Sequence, residues 1–318
     1  MFGKKEPQDN SDEAVLSRLA FASLTEQRRA RRWNIFFKGL FAAYFFLFIA
    51  LLYLPGGSKG VVKSNKEHTA IIDIEGVISS ESEASADTVI TGLRAAFKAE
   101  KSKAVIIRIN SPGGSPVQSG YINDEIYRLK EKYPEKKVYA VIVDMCASGG
   151  YYIAAAADKI YADKASVVGS IGVLMNGFGF VDAMKKMGVE RRLYTAGEHK
   201  GFLDPFSESN PEDVKHIQGL LKNIHQQFID TVRKGRGEKL KDNDKLFSGL
   251  VWTGQESIDV GLVDALGSSS YVAREIVKAE KLVDYTLKPN FVDRFAERLG
   301  ASFGTSVIKQ NLSNFTIW

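Results

Sequence analysis

"KVYAVIVDMCASGGYYIAAAAD", residues 137–158, decides how this chain is read. It opens as a short apolar run of strand length, passes through Ser148, Gly149 and Gly150, and continues into an alanine-rich run that favours helix. Working outward, the same change from strand to helix recurs. "TAIIDIEGVI" (69–78) is β-branched, and "ADTVITGLRAAFKAEK" (86–101) places Val89, Ile90, Leu93 and Phe97 at helical spacing. "AVIIRIN" (104–110) is a second strand, and "GYINDEIYRLKEKY" (120–133) a second amphipathic helix. Such alternation implies right-handed crossovers and a largely parallel sheet buried on both faces. Functional groups then belong at the carboxyl ends of the strands, where "SPGG" (111–114) and "ASGG" (147–150) both fall.

Further along, "DKIYADKASVVGSIGVL" (158–174) is β-rich and broken by glycines, "VDAMKKMG" is helix-like, and a long amphipathic helix is predicted from about Pro211 to Lys234. No internal repeat is visible. One catalytic-size domain over 67–280 is the economical reading, followed by a tail, 281–318, in which Phe291, Phe295, Leu299 and Phe303 recur every four residues as in an amphipathic helix.

Composition narrows the chemistry. The chain has 318 residues, 44% of them apolar, which suits a packed core rather than disorder. Lysine and arginine number 43 against 38 aspartates and glutamates, a net +5 spread along the chain, so nucleic acid is not an expected partner. One cysteine, Cys146, excludes an intrachain disulfide and paired thiolate ligands, and the four histidines lack metal-ligand spacing. Neither a metal nor another cofactor is expected.

"WNIFFKGLFAAYFFLFIALLYLP", residues 33–55, carries no charge from Gly39 to Leu54 and is long enough to cross a hydrocarbon layer. "RRARR" (28–32) precedes it, so the positive-inside rule keeps residues 1–32 cytoplasmic and sends the rest across the membrane. The stretch ends in "YLPGG" with no small-x-small cleavage site, which favours an uncleaved signal anchor. Residues 56–66, rich in glycine, serine and lysine, read as a tether.

Ser148 has two readings. As a structural residue it caps the helix that follows. As a nucleophile it is followed by unobstructed backbone N–H groups at a helix N-terminus, and Gly113 and Gly114 end a neighbouring strand where a second N–H can reach the same point. Cys146 reads as a small buried hydrophobe rather than a rival nucleophile. A serine needs a base, and no histidine stands in a setting that suits one. Lys200 lies between glycines in "TAGEHKGFLDPF", before an apolar run able to exclude water, with His199 as its neighbour and competitor.

"INSPGG", "ASGGYYIAAAAD", "VGSIGV", "GEHKGFLDPF" and "VWTGQESIDVGLVDALG" together resemble the signal peptide peptidase A family of membrane-bound serine proteases, in its short, single-domain form. The motifs follow the family's order over roughly 67–268. The resemblance implies a ClpP/crotonase-like α/β fold, a parallel sheet flanked by helices and preceded here by one transmembrane helix. It also implies a Ser-Lys dyad with Ser148 as nucleophile, Lys200 as base and Ser170 orienting the lysine amine. The oxyanion hole would come from Gly149 and from Gly113 or Gly114. Cys146 stands where the family more usually has alanine. The resemblance further implies a homo-oligomer in which the lysine reaches a serine of an adjacent protomer. It points to a single-pass protein of the bacterial inner membrane, its catalytic domain periplasmic or otherwise extracytoplasmic, degrading signal-peptide remnants and other apolar peptides.

Three other readings stay open at this point. A same-fold membrane protease acting on stomatin-like partners would differ in the peptides it cleaves. A crotonase-like acyl-CoA enzyme would need no serine nucleophile, and a non-catalytic membrane scaffold would tolerate Ser148→Ala.

Overall fold

The computed structural model describes residues 10–53 and 65–287. Residues 10–53 and the domain that follows are separate units. The first is one continuous helix, α1 (Asn10–Tyr53), which runs unbroken through the basic stretch before the apolar one. Within it, Phe21–Ile49 contains a stretch long and apolar enough to cross a membrane, which overlaps the predicted 33–55. Residues 54–64 and 288–318 lie outside the described residues, so most of the tether and of the predicted tail helix does too.

The second unit is built on a sheet whose central strands are β1 (His68–Glu75), β2 (Ser102–Ser111) and β3 (Lys137–Ala147). They pair in parallel, connected by α2 (Ala86–Lys98) and α3 (Pro116–Lys132), as the alternating pattern requires. β3 is long enough to hold two partners on one edge. Its first half pairs with β4 (Lys159–Ala162), and its last three residues pair with β5 (Val167–Gly169), again in parallel. β6 (Val251–Thr253) closes that edge antiparallel to β5, β7 (Ala265–Leu266) extends β4, and β8 (Leu282–Asp284) pairs with β1. The boundary drawn at 280 therefore moves outward, because a ladder strand and the Tyr285 N–H bond to the Ile71 carbonyl both lie beyond it.

The apolar faces of α2 and α3 and the short α4 (Gly149–Ala154) cover one side of the sheet, burying Leu93, Phe97, Ile122 and Tyr151 against Ile72, Ile107 and Ile142. Among the described residues the other side carries a smaller cluster, in which Ile71, Ile106, Val141 and Tyr161 meet Val272 and Ala273. Among them the expected burial of both faces is thus seen only in part. Asp73 and Arg108, each interrupting an apolar strand run, face that second side and form a bidentate ion pair at 2.7 and 2.8 Å.

α6 (Pro211–Arg236) is capped by Asn210, whose side chain accepts from the Glu212 N–H, and reaches the core through Phe228 and Val232. Near its end Gly235 packs so closely that a Cβ there would overlap the Ala155 carbonyl. The last turn is locked by Arg236, almost fully buried, which donates to Asp264 at 2.7 Å and to the Gly261 carbonyl at 2.9 Å.

Candidate active site

The carboxyl ends of β2, β3 and β5 converge on Ser148. Its N–H donates to the Gly169 carbonyl at 2.8 Å, and the residue adopts φ 49°, ψ −122°, a conformation that costs a non-glycine residue energy. Although Ser148 occupies the N-cap position of α4, its side chain makes no capping hydrogen bond. The capping explanation therefore fails. A strained serine whose hydroxyl is not used by its own helix matches the geometry that exposes a nucleophile at a strand-to-helix turn.

The two glycine turns meet around it. A Cβ on Gly113 would lie 2.6 Å from the Ser148 Cβ and 2.9 Å from the Gly149 nitrogen, so only glycine permits this approach, at φ 106°. Gly114, at φ 151°, packs on the Ile78 backbone so tightly that a Cβ would collide with its carbonyl. The bridge to Ile78 uses the Gly113 carbonyl and the Ser115 N–H, leaving the Gly114 N–H out of it. The Gly113 N–H is already bound to the Ser111 hydroxyl at 3.1 Å. Of the two candidates, Gly114 thus has the N–H to offer an anion. Together with the N–H of Gly149 at the start of α4, it makes a pair of donors beside Ser148.

Ser119 also belongs to this corner, and sequence reading missed it. Its hydroxyl is buried, has no hydrogen-bond partner, and would lie 2.5 Å from a Cβ on Gly149. The spacing of four from Ser115, the N-cap of α3, was the available signal, since it puts Ser119 on the same face of α3 as the loop that Ser115 ends.

A cleft of about 320 Å³ opens over Ser148 and Gly149, lined by Val117, Tyr121, Tyr152, Val173, Ile224 and Phe228, with Asp124 also in its lining. Its apolar walls suit an extended apolar segment and would exclude water around a reacting carbonyl. Cys146 is fully buried two residues before Ser148, and burial pushes its thiol far above the ordinary range, so it is not a competing nucleophile.

Ser170 follows β5 directly, one residue beyond the Gly169 carbonyl that receives the Ser148 N–H. It too has positive φ, 51°, and its N–H donates to the Leu250 carbonyl at 2.8 Å. Ser148, Ser170, Gly149, Gly113 and Gly114 are therefore gathered at one end of the sheet. Lys200 is not. It lies exposed in a turn of the segment between α5 (Val181–Met187) and α6, and is not among the residues lining the cleft of its own chain. His199, beside it, bonds through Nδ1 to Asp213 at 2.7 Å, and that hydrogen bond, opposed by slight desolvation, lifts the imidazole above its usual range.

Comparison with known proteins bears on this arrangement. A sequence model described as peptidase family S49 matches residues 130–283, from the end of α3 through the Ser148 turn to β8. A putative protease of Synechocystis is 33% identical over 205 residues, covering 64% of this chain and 72% of the relative. A putative signal peptide peptidase of Enterococcus faecium is 32% identical over 185 residues, 58% of this chain and 53% of that one. A protein of Brucella melitensis named as a sodium/proton antiporter is 50% identical over 175 residues, 55% of this chain but 24% of its own length. The chain thus spans only a quarter to a half of some of these relatives. The family match over the serine turn, and the resemblance along most of the Synechocystis protein, lead to one conclusion: the chain belongs to peptidase family S49, the signal peptide peptidase A family.

Proposed function

We propose that the protein is a membrane-anchored serine endopeptidase using a Ser-Lys dyad. The observation that carries this reading is the uncapped, strained Ser148 beside the unused N–H groups of Gly149 and Gly114. The Ser148 hydroxyl attacks a peptide carbonyl while the neutral amine of Lys200 takes its proton. The oxyanion is held by the two amides, the lysine protonates the departing amine, and water then releases the acyl group by the same steps.

The base comes from an adjacent subunit of a homo-oligomer. Two observations support this: Lys200 stays out of the cleft of its own chain, and the stretch from Leu174 to Tyr194 ahead of it exposes Leu174, Phe178, Met187, Val189 and Tyr194, an apolar surface suited to burial against a neighbour. Ser170, at the neighbouring strand end, orients the incoming amine by hydrogen bonding. Substrates are extended apolar peptides such as signal-peptide remnants, a choice supported by the apolar cleft. The apolar part of α1 that follows Arg32 anchors the chain in the bacterial inner membrane, with Arg28 to Arg32 on the cytoplasmic side and the catalytic domain beyond.

The test is mass spectrometry after incubation with a serine-directed phosphonate. Wild type gains one adduct on the peptide containing Ser148, Ser148→Ala gains none, and Lys200→Ala gains it far more slowly. An adduct on Ser148→Ala, or labelling of Lys200→Ala at the wild-type rate, would overturn the dyad.

A further inference from the structure

We infer that His199 and Asp213 form a clamp that positions Lys200 for catalysis, with His199 acting on orientation and not as the base. The inference rests on the Ser-Lys reading above. Lys200 stands in a tight turn, its N–H bonded to the Gly197 carbonyl at 3.1 Å and the Phe202 N–H bonded to the His199 carbonyl at 3.1 Å. Such a turn holds its own shape and needs side chains to fix it to the body of the domain. The His199 side chain supplies that link. Its Nδ1–H donates to Oδ1 of Asp213 at 2.7 Å, and Asp213 belongs to the first turn of α6. A second contact lies alongside, where the Phe202 ring meets the His216 ring edge-on at 6.5 Å.

α6 is the right element to moor a catalytic loop. It is a 26-residue helix buried in the core through Phe228 and Val232. The two partners differ in exposure: the His199 side chain is 54% exposed, whereas that of Asp213 is 15% exposed and so is held by its surroundings. As a contribution to folding, an ion pair this open is worth little. As a positioning device it matters more, because displacing a catalytic group by about 1 Å can cost roughly 10²-fold in rate.

The same geometry also resembles the histidine-carboxylate half of a Ser-His-Asp triad, with Nε2 left free, so a test must separate orientation from proton transfer. Side-chain chemistry does this. The amide nitrogen of asparagine occupies the place of Nδ1 and can donate to Asp213, but asparagine cannot act as a base. Glutamine puts its amide nearer to Nε2 and misses the carboxylate.

The experiment measures kcat and KM on a fluorogenic apolar peptide for full-length wild type, His199→Ala, His199→Asn, His199→Gln, Asp213→Ala, their double alanine variant and Lys200→Ala, with assembly followed by sedimentation. The clamp predicts that His199→Ala and Asp213→Ala each lower kcat by about 10 to 100-fold, with KM within about twofold and assembly unchanged. The double variant is no slower than either single one, His199→Asn returns to within about threefold of wild type, and His199→Gln does not. Wild-type kcat in His199→Ala, or His199→Asn as slow as His199→Ala, while Lys200→Ala is inactive, would overturn the clamp and leave the dyad standing. An active Lys200→Ala would overturn the dyad and the clamp together.

Discussion

Gly149→Ala tests the serine corner at its tightest point. A Cβ there would lie 2.5 Å from the Ser119 Oγ and 3.2 Å from the Gly114 nitrogen. The first distance is well inside van der Waals contact and forces α3 and the α4 turn apart. The second displaces the amide assigned to the oxyanion in the proposed mechanism. Overpacking of this kind costs about 1–3 kcal/mol of stability, and losing one oxyanion donor costs about 10² to 10³-fold in kcat. The two effects separate in Gly149→Ala/Ser119→Ala, which removes the shorter contact and an unpaired buried hydroxyl along with it. That double variant should recover most of the lost stability in urea denaturation, because the 3.2 Å contact is one a neighbour can yield to by a few tenths of an ångström. Peptidase kcat should recover only in part, since the yielding neighbour is the Gly114 amide itself. Wild-type kcat in Gly149→Ala, or full recovery of kcat in the double variant, would refute the assignment of these amides.

Other outcomes follow from single contacts. Tyr151→Phe loses the fully buried bond from the hydroxyl to the Leu262 carbonyl at 2.8 Å and orphans that carbonyl, so thermal or urea unfolding should show a loss of about 1–3 kcal/mol. Gly235→Ala must move α6 off the Ala155 carbonyl, and since α6 walls the cleft, denaturation should show reduced stability and the peptidase assay a raised KM. The Glu125 carboxyl is held at about 2, well below its ordinary 4.5, by the hydrogen bond from Arg128 and, against the opposing effect of burial, by that from Arg94. Because the folded value is depressed, the stabilisation is complete above about pH 4.5 and is lost as pH falls toward 2. Wild-type stability should therefore fall more steeply than that of Glu125→Gln across that window, and parallel curves would contradict the assignment.

The alternating apolar runs made the parallel core legible, because each strand and helix announces its own periodicity within a few residues. β3 and the Ser148 turn were readable for the same reason: a β-branched run, two glycines and an alanine run lie in unbroken sequence. What stayed hidden depends on contacts distant in the chain. Nothing local tells that the Gly113 N–H is taken by the Ser111 hydroxyl while the Gly114 N–H is left over. β8 was read as tail because three residues, Leu282–Asp284, carry too little pattern to declare a strand without β1 beside them. His68, just beyond the tether in sequence, is buried, with Nε2 bonded at 2.9 Å to the Tyr285 hydroxyl more than two hundred residues away. Asp73 and Arg108 interrupt otherwise apolar strand runs, and only their pairing across β1 and β2 explains how the sheet carries them. Lys200 was legible as a candidate through its glycine-flanked setting and its motif, but nothing local shows that it lies outside the cleft of its own chain.

The most direct test of the shared dyad is to mix two inactive proteins. Ser148→Ala retains Lys200, Lys200→Ala retains Ser148, and neither alone should hydrolyse peptide. When equal amounts, carrying different tags, are unfolded and refolded together, random assembly places an intact serine beside an intact lysine at about a quarter of the contacts. Co-purified mixed oligomers should then show activity near that fraction of wild type. Mixed oligomers that contain both chains and remain inactive would contradict the sharing of Ser148 and Lys200 between subunits.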